Sequence, residues 1–143
     1  MVAKDSLGAT GTPFTVPLER GKIREYAGAI GSAHPEYVDA EDPVVPAHFL
    51  TTTFFWEGDT GNPWDRVEMS QQRGMHAEQE YVFHGEPPRA GTRLTATSRI
   101  DRIYEKTSRS GGILTFVEMV TEFRDDDGTL VAEAKMTAVE TAE

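Results

Sequence analysis

The sequence predicts an α+β domain in which helices in the first half partly cover a long antiparallel sheet built from the second half. Three observations carry that prediction. An apolar stripe at helical period runs through residues 19–30, the period changes to two from His76 onward, and Asp125-Asp126-Asp127-Gly128 joins two alternating runs as a hairpin turn would.

Taken in order, residues 1–12 are small, polar and glycine-rich and read as a frayed or loosely docked arm, leaving 13–143 as the folded domain. A short strand is expected at Phe14–Pro17. The first helix is expected from about Glu19 to Ile30, with Ile23, Tyr26, Ala27 and Ile30 on its buried side and Gly31 where a helix C-terminal glycine belongs. A proline-punctuated acidic loop follows over 32–45. Pro46 then fits the first turn of a second helix running to about Trp56, although its three threonines and two phenylalanines also suit a strand. Residues 57–74 read as a long excursion.

Four strands complete the pattern, at 76–83, 92–104, 112–124 and 129–140. On the first of them Ala77, Gln79, Tyr81 and Phe83 fall on one face, with His76, Glu78, Glu80 and Val82 on the other. The strand at 112–124 is apolar on both faces, with Ile113, Val117, Met119 and Phe123 alternating with Leu114, Phe116 and Val120. Such a strand is central to its sheet or covered by another subunit. One helix layer cannot cover both faces of so long a sheet, so a dimer or larger assembly is expected.

At 143 residues the chain suits one domain with a real core, and 38% apolar with 27% charged residues is the balance of a soluble globular protein. It has no cysteine, which excludes disulfides and thiolate metal sites and fits a reducing cytoplasm. No apolar run is long enough to span a membrane, and no secretory signal pattern opens the chain. A formal charge of −10 argues against a nucleic-acid partner. Arg89, Arg93, Arg99 and Arg102 form either a local basic patch for an anionic carrier or a solvated sheet face.

Three segments carry a family resemblance: Lys22–Asp39 (KIREYAGAIGSAHPEYVD), Val44–Leu50 (VVPAHFL) and Met75–Ala96 (MHAEQEYVFHGEPPRAGTRLTA). In their order and spacing they resemble the MaoC-like dehydratase and hydratase superfamily, in its branch similar to the dehydratase domain of type I fatty acid synthases. The resemblance covers nearly the whole chain after residue 13. It implies a hotdog fold, a long antiparallel sheet wrapped around a central helix. It also implies (R)-specific, reversible loss of water from a 3-hydroxyacyl thioester in fatty acid or polyketide metabolism. The implied ligand is an acyl-CoA or acyl carrier protein thioester, with no cofactor and no metal.

Elimination of water needs a base, an acid and donors for the thioester oxygen. Active relatives supply the first two from a Gly-Asp-x-Asn-Pro-x-His loop. Here that loop reads Gly31-Ser32-Ala33-His34-Pro35-Glu36-Tyr37, so serine and tyrosine stand where aspartate and histidine belong. This departure resembles the non-catalytic halves of two-domain hydratases and the partner subunits of heterodimeric dehydratases. A homodimer, or a heterodimer with a catalytic hotdog subunit, is the expected assembly.

Several residues carry two readings. His34 is either a relocated base, with Tyr37 or Glu36 beside it, or a loop histidine capping backbone groups. His48 is either a donor to the thioester oxygen or a solvated residue at a helix start. Phe49, Phe54 and Trp56, with Phe55, either line an acyl channel or form plain core. His76, Glu78 and Glu80 are too collinear to wrap a metal unaided and read as a solvated strand face. Three functions stay open: a subunit completing a catalytic partner, a self-sufficient enzyme with a site rearranged around His34, Tyr37 and His48, and a thioesterase-like or specialised-metabolism hotdog protein.

Overall fold

A computed structural model describes residues 1–58 and 61–142. Its frame is a five-stranded antiparallel sheet in the order β1-β3-β4-β5-β2, with β1 at Phe14–Pro17, β2 at Gly74–Phe83, β3 at Arg93–Thr107, β4 at Ile113–Arg124 and β5 at Leu130–Thr141. The two-faced apolar strand β4 occupies the middle of that order, one of the two positions its sequence allows.

The Asp125–Gly128 turn sets the β4–β5 register. The Asp125 carboxylate accepts the backbone N–H groups of Asp127 (3.0 Å) and Thr129 (2.8 Å), and Gly128 takes φ +81°.

The helical layer is thin. Helix α1 (Arg20–Ala29) buries Ile23 and Ala27 against the sheet, and Gly31 leaves it at φ +73°. A four-residue helix, α2 (Pro35–Val38), interrupts the acidic loop. The expected second helix is shorter and tighter than its sequence suggests, a 3-10 helix over Phe49–Phe55. Its threonines account for part of this. The hydroxyls of Thr52 and Thr53 donate to the carbonyls of Phe49 and Leu50, both at 2.9 Å and three residues back, which favours the tighter winding.

Phe49 and Leu50 on this helix meet Val16, Leu18, Ile23, Leu94, Ala96, Phe123 and Ala132 in the main core. The sheet therefore curls around a central helical segment, as in a hotdog fold.

Residues 1–12 do not hang free as an arm. They run beside β3, with hydrogen bonds from Gly8 N–H to the Ile100 carbonyl (2.9 Å), from Ile100 N–H to the Ala9 carbonyl (2.9 Å) and from Gly11 N–H to the Ser98 carbonyl (2.8 Å). The reason is an edge left open: β1 pairs only with 93–96 of the long β3 strand, and the rest needs another partner. Val2 completes a second, smaller core with Val67, Ile100 and Val117. Gly11 lies so close to the excursion that a methyl group there would stand 2.8 Å from the Gly61 carbonyl oxygen.

The excursion contains a 3-10 turn over Pro63–Arg66. It is tied down at its far end where buried Glu140 accepts the Ser70 N–H at 2.7 Å.

The outer face of the sheet is partly covered by its own side chains. Tyr104 and Phe116 stack in parallel 5.1 Å apart beneath the Lys106 ammonium, and Arg102 sits over Tyr104. Three of the four arginines considered as a basic patch are paired: Arg89 with Glu36, Arg99 with Asp101 and Glu122, and Arg102 with Glu118.

Candidate functional site

The first turn of the 3-10 helix opens onto a cleft of about 600 Å³ between α1 and β2. Tyr26 from α1, His48 and Thr51 from the 3-10 segment, and His76, Gln79 and Tyr81 from β2 face it. Tyr26 Oη lies 2.5 Å from His48 Nδ1 and 3.2 Å from the His48 carbonyl oxygen, and its single proton serves one of the two at a time. The two rings meet edge to face at 5.5 Å, and Tyr26 in turn stands edge-on against fully buried Phe49 at 5.4 Å. A buried phenylalanine thus braces the tyrosine, and the tyrosine braces the imidazole.

With Nδ1 engaged, Nε2 is the imidazole atom left for a ligand. Its role follows the tautomer. If the Tyr26 hydroxyl donates to Nδ1, the proton sits on Nε2, which becomes a hydrogen-bond donor. If Nδ1–H donates to Tyr26, Nε2 carries a lone pair and acts as a base.

Burial raises the pKa of Tyr26, and nearby Tyr81 adds to the shift. Tyr81 is likewise raised by burial, against a hydrogen bond to Thr51 that pulls it down. Both phenols stay neutral across the physiological range. Among the described residues no aspartate or glutamate lines the cleft. An uncharged set of donors and acceptors fits a neutral carbonyl group such as a thioester, whose oxygen gains charge only during reaction.

The other residues singled out in the sequence lie elsewhere. His34 Nδ1 accepts the Glu36 N–H at 3.2 Å and caps α2, and the His34 N–H reaches the Ser32 hydroxyl at 3.4 Å. Tyr37 is a ring neighbour of His34 at 5.3 Å, and neither lines the cleft. Phe49 is core, and Trp56 packs against the same core half-buried. Phe54 is 60% exposed and leans on Phe55, with ring centroids 4.2 Å apart.

The expected grouping of His76 with Glu78 and Glu80 does not hold. A bulge between His76 and Glu78 leaves Ala77 unpaired and turns His76 to the side of Gln79, whose Oε1 lies 3.3 Å from His76 Nε2. Among the described residues no three acidic or histidine side chains converge as a metal site.

Sequence reasoning passed over Tyr26, Thr51, Gln79 and Tyr81 as site residues. Tyr26 was visible only as one position of a buried stripe. The available signal was chemical: a phenol on such a stripe needs a polar partner.

A curled antiparallel sheet around a short central helix, with its cleft at that helix's N-terminal end, defines a hotdog domain. The chain belongs to the family described as FAS1-like, dehydratase domain region, whose model matches residues 6–134. A UPF0336 protein of Streptomyces coelicolor is 33% identical over 144 residues, covering 94% of this chain and 92% of that protein.

Among solved structures, the HadBC (3R-hydroxyacyl-ACP dehydratase) complex of Mycobacterium tuberculosis matches with a TM-score of 0.70 at 24% identity, over 94% of this chain and 98% of that one. The ChsH1–ChsH2 complex of the same organism matches with a TM-score of 0.70 at 15% identity, over 98% and 88%. At these identities the structural likeness bears on the fold alone. Among the described residues no helix is long and apolar enough to cross a membrane.

Proposed function

We propose that this chain is the acyl-thioester-binding subunit of an (R)-specific hydratase or dehydratase, completed by a second hotdog subunit that brings the acid and base. One observation carries the reading. The loop that supplies acid and base in active relatives holds Ser32 and Tyr37 here, and its histidine is engaged in capping α2. The His48 cleft nevertheless keeps uncharged donors suited to a thioester carbonyl. Within the cleft, the Nε2–H tautomer of His48 would donate to the thioester oxygen as enolate charge develops, with Tyr81 and Gln79 as further donors. The two structural neighbours described as complexes support a hotdog partner, and the edge position of β2 leaves a strand free for pairing. The carrier is coenzyme A or an acyl carrier protein, and the absence of cysteine suits work in a reducing cytoplasm on fatty acid or polyketide intermediates.

A second reading is favoured by the Tyr26–His48 pair itself. In the other tautomer Nε2 is a base, and the chain would then be a self-sufficient enzyme with a rearranged site.

Hydration of a trans-2-enoyl-CoA, followed by loss of enoyl absorbance, separates the two. The chain alone should turn over at least 10²-fold more slowly than its mixture with a hotdog partner bearing Gly-Asp-x-Asn-Pro-x-His, because each missing acid or base typically costs about 10²–10⁴-fold. Rapid turnover by the chain alone, abolished in His48→Ala with the fold intact, would establish the second reading instead.

A further inference from the structure

The outer face of the sheet, turned away from the central 3-10 helix, carries its charge unevenly. Cross-strand register sorts that face into rows running from β3 to β2. One row reads Tyr104–Phe116–Val139–Met75, the next Arg102–Glu118–Thr137–Glu78, and the next Arg99–Val120–Lys135–Glu80. Bulges at Asp101 on β3 and Ala77 on β2 each add one residue at the same level, and so keep the charges of both strands on this face. The β3 ends of the last two rows are arginines and the β2 ends are glutamates. Arg102 is 60% exposed although Glu118 lies 3.4 Å away, and Glu80 is 51% exposed although Lys135 lies 3.5 Å away. Met75, at the end of the apolar row, is exposed as well.

A face that is basic along one side, acidic along the other and apolar in the adjoining row is complementary to itself. A two-fold axis parallel to the strands, between β4 and β5, sets each row opposite the same row of a second copy and exchanges its ends. Arg102 then faces the second copy's Glu78, and Arg99 its Glu80. The stacked Tyr104 and Phe116 rings face its Met75 and Val139, and symmetry repeats every contact. The following row, Thr97–Glu122–Glu133–Val82, brings Glu122 opposite Glu133. Both are already engaged at 2.8 Å within their own chain, Glu122 by Arg99 and Arg124 and Glu133 by His84, which blunts the repulsion.

We propose that this outer face joins two copies of the chain, packed sheet on sheet with their strands aligned. The contact is separate from the edge of β2, so a hotdog partner at that edge and a second copy on this face fit in one assembly. It does not depend on thioester binding. Exposed ion pairs each contribute little, so the charges fix the orientation more than they supply strength, and the association is weak and salt-sensitive.

Sedimentation velocity of the full chain, alone and with its hotdog partner, tests the proposal. The number of copies of this chain per assembly should halve between about 0.05 M and about 0.5 M salt, as screening removes the attraction between the faces. Glu78→Lys sets a cation opposite Arg102 at both ends of its row and should give the halved assembly at low salt. Glu86→Lys makes the same change of charge on an exposed residue of the β2–β3 turn, off the face, and should behave as wild type. Exchanging the two charges, Arg102→Glu with Glu78→Arg, should restore the doubling.

The exchanged variant leaves Glu118 without its cation, so a second test covers a failure to fold. The chain has no cysteine of its own. Thr97→Cys chains mixed with Val82→Cys chains, and treated with a bifunctional maleimide that spans the ~10 Å between packed sheets, should form a 97–82 link that mass spectrometry identifies. Such a link joins two molecules by construction. An assembly whose size ignores both salt and Glu78→Lys overturns the proposal, and so does one that doubles without forming the 97–82 link.

Discussion

The loop at Gly31–Tyr37 and the cleft at His48 lie on either side of the same short acidic segment, and His34 and His48 are the histidines that flank it. The two regions use these histidines in opposite ways. In the loop, His34 directs Nδ1 at a backbone N–H two residues on, so the imidazole closes a helix end. In the cleft, His48 takes its Nδ1 contact from the side chain of Tyr26 on another element, and Nε2 remains for a ligand. Local hydrogen bonding consumes a functional group, whereas support from a distant element aims one. A histidine in a motif-like loop is therefore weaker evidence of chemistry than a histidine braced from across the fold.

The largest expected effect that tests this contrast is on ligand affinity. His48→Ala should weaken binding of octanoyl-CoA by about tenfold, the consequence of one lost hydrogen bond in a partly dry cleft. His34→Ala should leave it within twofold. Calorimetric titration of both variants beside wild type decides the matter, and equal losses would erase the distinction between the two regions.

A smaller effect runs in the other direction and concerns stability. His34→Ala removes the cap of α2 and should destabilise the protein by about 0.5–1 kcal/mol, near the lower end for N-cap losses because the helix is short and exposed. His48→Ala removes no cap, since no side-chain capping bond is made at its own helix start, and any cost there comes from the lost Tyr26–His48 bond. Urea midpoints at constant slope would measure the capping loss, and a His34→Ala midpoint equal to that of wild type would contradict it.

Most of the fold was legible because its signals are periodic. The stripe through Ile23 and Ala27, the two-faced β4 and the Asp-rich turn each have a local cause that survives in the three-dimensional arrangement. What was not legible depends on unmet partners. Nothing in residues 1–12 announces that β3 outruns β1 and needs a second neighbour.

The winding of Phe49–Phe55 followed the threonine hydroxyls, which compete for carbonyls three residues back, and the Pro46 start pointed to a longer helix. At the site, His48 was visible as a position but its brace was not, because Tyr26 lies 22 residues away on α1. The bulge at Ala77 moved His76 to the other face, and a bulge leaves no trace in simple alternation.

The smallest effect is absent near neutral pH and emerges only in alkali. Burial raises the pKa of both Tyr26 and Tyr81 above that of an unfolded tyrosine, about 10, so the folded protein favours the neutral phenols. Stability from this source is fully present below pH 10 and is lost as pH rises through the folded-state values, because the unfolded chain ionises first. Thermal melts from pH 8 to 11 should therefore show a decline in wild type beginning near pH 10. The double substitution Tyr26→Phe, Tyr81→Phe should make that decline shallower while lowering the melting temperature at pH 8, where the Tyr26–His48 bond is lost. His34→Ala, with both cleft phenols intact, should decline in parallel with wild type. A double variant that falls as steeply as wild type would mean the cleft phenols are hydrated rather than buried, and the cleft would then offer a thioester no drier a setting than the loop does.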